Sequence, residues 1–180
     1  MNEDKLFKTI MFEVLSIEKD LDDLGKGIFF APELYIGFRI SKSIYNNRAT
    51  IFPKYKEVEW QRELDLHNGG PSDIVFNLGN EQLIKEQINE QLIIELKMRN
   101  TYDSYEKDIT KLMRLQNNGG IKQHKYFCAL VDAFKDKEDG RLQKLITEQN
   151  LKDNRHISFE TKKYSYQSDI YCHLILLKIN

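Results

Sequence analysis

From Tyr126 to Phe134 the chain reads Tyr-Phe-Cys-Ala-Leu-Val-Asp-Ala-Phe. A run this apolar and this short leaves almost no polar face for water. It is what a strand covered on both sides looks like, so the chain needs a sheet with something packed on each face. The flanking sequence offers the covers. Asp4 to Leu24 predicts a helix: Leu6, Ile10, Met11, Val14, Leu15 and Ile17 fall at helical spacing, and Gly25 ends it. Ala31-Pro32-Glu33 opens a second helix that runs to about Asn47. Proline is tolerated there because its missing N–H would be unpaired in a first turn anyway. Ile36, Ile40 and Ile44 share one stripe of this helix, with Gly37 permitting close approach.

The remaining segments fill in a mixed order. Glu57 to Leu66 alternates apolar and polar residues as a strand, with Arg62 breaking the apolar set. His67-Asn68-Gly69-Gly70-Pro71 is a turn cluster, and Asp73 to Leu78 is the next strand. Gly79 to Glu90 is polar and ambiguous, and Gln91 to Met98 is a third strand. The short Gly-rich turn predicts an antiparallel hairpin. Tyr102 to Gln116 predicts a helix with Asp103 and Glu106 as its capping box. Its inner stripe is Tyr105, Ile109, Leu112, Met113 and Gln116, and Asn118-Gly119-Gly120 stops it. Arg141 to Gln149 is a short helix; His156 to Glu160 and Ile170 to Ile179 are closing strands. This order predicts an α/β or α+β sandwich around a mixed sheet.

At 180 residues the chain suits one domain, with neither repeats nor a convincing linker. No apolar run approaches the roughly 20 residues of a membrane span, and residues 1–10 lack a secretory pattern. Cys128 and Cys172 each lie in an apolar run and read as buried thiols, which makes a reducing cytoplasm the expected location. Net charge is -1, so bulk charge gives no argument for a nucleic-acid partner. The charges are nevertheless sorted. Arg39 to Lys56 holds five basic residues and no acid; Lys97 to Lys125 holds seven basic residues and three acids. Solvated helix faces give such patches, and so do phosphate-binding faces.

The chemistry concentrates between Gly69 and Lys97. Asp73 stands at the mouth of one apolar strand, in Gly-Gly-Pro-Ser-Asp-Ile-Val-Phe. Glu95 and Lys97 lie on the next, in Leu-Ile-Ile-Glu-Leu-Lys. Strand alternation puts Glu95 and Lys97 on one face, and pairing of the two strands with Asp73 on that face would bring two carboxylates together. Like charges that close need a cation or a proton between them. Mg²⁺ suits such oxygen ligands, with Mn²⁺ as a substitute, and the Leu96 carbonyl is the natural backbone ligand. Lys97 beside the cation can stabilise a phosphate in its transition state. Taken alone, Glu-x-Lys usually marks a solvated strand face or a cross-strand ion pair. Glu33 precedes Ile36 by three, so an acid stands at the end of a core-facing stripe. It reads either as a helix N-terminal charge contributing about 0.3–1 kcal/mol, or as a member of the site. Lys107, Lys111 and Arg114 share a helix face, as a phosphate-contacting row or as that helix's wet side.

Pro71-Ser72-Asp73 and Glu95-Leu96-Lys97 together resemble the two halves of the PD-(D/E)xK motif, with a serine between proline and acid. The order around them resembles that superfamily too, over roughly Pro32 to Phe134. The resemblance implies the α/β restriction-endonuclease-like fold, a central mixed sheet flanked by helices. It implies a Mg²⁺-dependent nuclease in which Asp73 and Glu95 are metal ligands and Lys97 the catalytic lysine, with Glu33 as a further acid. The expected substrate is nucleic acid, foremost DNA, and no membrane is involved. The protein would work as a homodimer or as the nuclease subunit of a defence, repair or mobile-element system. The competing expectation is an inactive nucleic-acid-binding or assembly protein that keeps the fold. No phosphate loop, Cys-x-x-Cys or Gly-x-Ser-x-Gly offers a rival chemistry.

Overall fold

The structure, a computed structural model, describes residues 1–67, 69–79, 90–99, 101–115, 120–134, 137, 140–151, 154–162 and 170–179. Its elements are α1 (Glu3–Asp22), a 3-10 turn (Ile28–Phe30), α2 (Glu33–Asn46), α3 (Arg48–Ile51), β1 (Glu57–Asp65), β2 (Pro71–Gly79), β3 (Glu90–Met98), α4 (Tyr102–Met113), β4 (Lys122–Phe134), α5 (Gly140–Glu148), β5 (Asn154–Thr161) and β6 (Ile170–Ile179). Gln116, Asn118, Gly119 and most of the polar stretch before β3 lie outside the described residues.

The six strands form one mixed sheet in the order β1-β2-β3-β4-β6-β5. β1, β2 and β3 are an antiparallel meander. β3 and β4 are parallel, which requires a crossover, and α4 supplies it. β6 lies antiparallel to both β4 and β5. The chain is therefore α/β, with helices on both faces of the sheet.

The apolar run in β4 occupies the middle of that sheet, as its composition requires. Tyr126, Cys128 and Leu130 face α1 and α2, in a core with Ile10, Val14, Ile36 and Ile40. Phe127, Ala129 and Val131 face α4 and α5, in a second core with Tyr105, Ile109, Leu112 and Leu142. Ile94 and Leu96 of β3 point into the first core and Ile93 into the second. Both cysteines are buried thiols, and burial pushes Cys128 up to about 12. Among the described residues no helix is long and apolar enough to cross a membrane.

One local expectation is corrected. The cap of α4 is Thr101, whose hydroxyl accepts the Ser104 N–H at 3.3 Å, rather than an Asp103–Glu106 box. The helix starts two residues before that box would allow. The short turn at Ile28–Phe30 and the single turn of α3 have too few residues to show a period, so the sequence does not announce them.

Candidate active site

The site lies where the sheet opens. β2 and β3 pair in register from Leu78↔Glu90 to Ile74↔Ile94. One more rung would set Asp73 opposite Glu95, and among the described residues that rung is missing. The β1 side is broken at the same level: Arg62 pairs with Ile74 and Leu64 with Ser72, while Glu63, opposite Asp73, is unpaired and has φ 54°. A left-handed glutamate inside a strand costs on the order of 1–3 kcal/mol, and such strain gathers at functional sites. It also reverses the side-chain alternation. Val58 and Trp60 pack on the α1–α2 core, whereas Leu64 packs on the α4–α5 core.

Freed of its rungs, Asp73 turns its carboxylate into the gap. Its Oδ2 accepts the Leu96 N–H at 2.8 Å. In an extended strand a residue's N–H and C=O point the same way, so the Leu96 carbonyl opens on this gap as well. The expectation that Asp73 and Glu95 share one face is therefore corrected. Asp73 sits between the strands and lines a cavity with Glu33, Gly37 and Leu96 on the α2 side, whereas Glu95 points at α4. Their charges still meet, for Asp73 helps raise the pKa of Glu95.

Two lysines answer the acids from the α4 side. Lys111 Nζ lies 2.7 Å from Glu95 Oε2 and donates to the Pro71 carbonyl at 2.9 Å. Lys97 Nζ lies 2.9 Å from Asp108 Oδ2. Glu95 is 1 % exposed, and among the described residues its buried Oε1 has no hydrogen bond of ordinary geometry. Burial pushes its pKa up to about 7, against the pull of Lys111 and with Asp73 adding to the rise. Burial also raises Asp73, against the Leu96 N–H and both lysines. For Lys97 burial works against the ammonium, but the pairing with Asp108 outweighs it and its pKa is raised.

Glu33 enters from the first turn of α2. Its Oε2 accepts the Met98 N–H at 2.7 Å, and burial raises its pKa. The helix N-terminus thus brings Glu33 beside the gap but commits it to the β3 backbone. Among the described residues no three His, Cys, Asp or Glu side chains group so as to hold a metal ion. The expected ligand set of Glu33 with Asp73 and Glu95 is to that extent not assembled. The donors beside the gap, the carboxylates of Asp73 and Glu95 and the Leu96 carbonyl, are all oxygens, the type a hard cation takes. Mg²⁺ usually takes one or two carboxylates and keeps several waters.

The basic row on α4 is split. Lys107 and Arg114 are exposed, while Lys111 is 11 % exposed and folded into the site. Asp108 and the pairing role of Lys111 are what the sequence reading missed. The signal was present: Asp108 follows Tyr105 by three and precedes Leu112 by four, so a carboxylate stands on the buried stripe of α4. Comparison of the chain with protein-family models, with curated proteins and with solved structures found no match in any of the three.

Proposed function

We propose that this chain is a metal-dependent nuclease, hydrolysing phosphodiester bonds of nucleic acid on a restriction-endonuclease-like fold in the cytoplasm. The observation that carries the reading is a charge imbalance at an opened sheet. Among the described residues Glu33, Asp73, Glu95 and Asp108 face Lys97 and Lys111, with the nearby Arg62 paired to Glu63, which leaves a formal charge of -2 when all are ionised. Burial is the main cause that raises the Glu33, Asp73 and Glu95 carboxyls, with neighbouring carboxylates adding to it, and a divalent cation would relieve the excess negative charge.

Asp73 and Glu95 would hold the cation, with the Leu96 carbonyl beside them. Bound Mg²⁺ supplies Lewis acidity and water of lowered pKa. The rest belongs to the chain. Asp108 anchors Lys97, whose ammonium, two residues along β3 from Glu95, faces developing phosphate charge. Lys111 holds Glu95 in place and ties α4 to the start of β2. DNA is the foremost substrate, and a duplex cut on both strands would require a second copy or a partner subunit.

Incubation with plasmid DNA, single-stranded DNA and RNA in Mg²⁺, Mn²⁺ or EDTA tests this. Cleavage should need metal and vanish in Asp73→Asn, and metal should raise the melting temperature of the wild type only. Absence of both effects sinks the reading. A second reading has its own support: the two ion pairs already neutralise Glu95 and Asp108 internally. On that reading the chain is an inactive nucleic-acid-binding or assembly protein, and Glu95→Ala would bind nucleic acid as the wild type does without any metal-dependent cleavage in either.

A further inference from the structure

We propose that the cavity beside Asp73 receives one unpaired nucleobase, so that the substrate class of this site is single-stranded nucleic acid. The inference rests on the nuclease reading for the cut itself, but base binding stands apart from catalysis and is measured apart from it.

The cavity has a volume of about 280 Å³ and lies between α2, β1 and the opened end of β2 and β3. That is close to the lower end of small-ligand pockets, about 300 Å³. It has room for one base with its sugar and not for a base pair within a duplex. One wall is apolar and open to solvent: Phe38 is 46 % exposed and Leu34 is 55 % exposed, both on α2. Phe38 is fixed from behind by Trp60, at 5.8 Å between centroids and 51° between planes, and the buried Trp60 indole N–H has no acceptor among the described residues. Gly37 leaves the cavity deep, since a Cβ there would meet only Leu96 Cδ2 at 3.5 Å.

The opposite wall is polar. Arg62 offers a guanidinium to a phosphate or to the face of a base, and Asp73 ends the cavity at the proposed catalytic group. A base stacked on Phe38 would therefore lead its own phosphodiester towards Asp73. The acids at the rim, Glu33 and Glu63, argue against a duplex. A duplex presents two rows of phosphates, and among the described residues Arg62, which also pairs with Glu63 at 3.0 Å, is the one cation lining this cavity. A single strand can turn a base inward, and aromatic stacking is how proteins hold single strands without reading their sequence.

Fluorescence anisotropy in EDTA, with a labelled oligonucleotide of about 12 nucleotides, tests the inference without cleavage. Single-stranded DNA and single-stranded RNA of one sequence are compared with the matched duplex. At least one single strand should bind about tenfold more tightly than the duplex, and the stronger arm names the sugar. Phe38→Ala should weaken that binding about five- to hundredfold, the range of one lost stacked base. Phe38→Trp should restore it. Gly37→Leu, which fills the cavity and leaves Phe38 in place, should lose it as well. An abasic position in the oligonucleotide should cost the wild type as much as Phe38→Ala does, and cost Phe38→Ala little more. Equal affinity for duplex and single strand, or an unchanged Phe38→Ala of wild-type melting temperature, overturns the proposal. Metal-dependent duplex cleavage in that case would keep the nuclease reading while removing this one; Phe38-dependent single-strand binding with no cleavage of any substrate would do the reverse.

Discussion

Lys111 Nζ lies 2.7 Å from Glu95 Oε2, joining the last turn of α4 to the middle strand of the opened sheet. Both groups are withdrawn from water, so neither charge is solvated well enough to stand alone. Breaking a buried pair by removing one partner typically costs about 3–5 kcal/mol. Glu95 has a partial escape, because a carboxyl with a pKa of about 7 can take up a proton instead. Lys111→Met should therefore destabilise by about 3 kcal/mol at pH 8 and clearly less at pH 5.5. Urea denaturation at the two values measures it; a loss independent of pH would mean that Lys111 acts through packing.

The wild type should itself respond to pH in metal-free buffer. The folded-state pKa of Glu95, about 7, lies above its ordinary 4.5, so the folded protein holds that proton more tightly than the unfolded chain. The stabilising contribution is full below pH 4.5 and is lost as pH rises to 7. The difference is worth up to about 3 kcal/mol at 1.36 kcal/mol per pH unit. Asp73 and Glu33 are raised by burial too, and push in the same direction. Glu95→Gln should flatten the curve between pH 5 and 7; a variant curve parallel to the wild type would refute the assignment.

Asp108 touches no substrate in the proposed mechanism; it positions Lys97 through their 2.9 Å contact. Asp108→Asn keeps the shape and removes the charge. Cleavage should fall about ten- to hundredfold, the usual scale for a misplaced catalytic group, and the fall should be in kcat rather than KM. Asp108→Glu should recover part of it. An effect confined to KM would place Asp108 in substrate binding instead.

Gly37 stands in the interior of α2, and a Cβ there meets Leu96 Cδ2 at an ordinary 3.5 Å. Glycine inside a helix costs roughly 0.5–1 kcal/mol relative to alanine. Gly37→Ala should stabilise by about that amount, read as a shift in urea midpoint with unchanged slope. Destabilisation would mean that the cavity wall cannot accept even a methyl group.

Sequence alone determined the longer elements, their order and most of the faces they bury. Those are local matters: the apolar run in β4, the stripes of α1, α2 and α4, and the alternation along β1 before Glu63 each carry their period within a few residues. It also brought Asp73, Glu95 and Lys97 to one end of two neighbouring strands, and Glu33 to a helix start beside them. Tertiary structure decided how those groups meet. Whether the Asp73 rungs form depends on β1, β2 and β3 at once, and the left-handed backbone at Glu63 is settled by that three-strand contact. Glu33 goes to the Met98 N–H because β3 ends there with an unpaired donor within reach. Lys111 leaves the solvated row because a buried carboxylate without a counter-ion costs more than an ammonium drawn inward. A ladder's missing rung and a buried charge's partner are both set by residues far apart in the chain, and no local period records them.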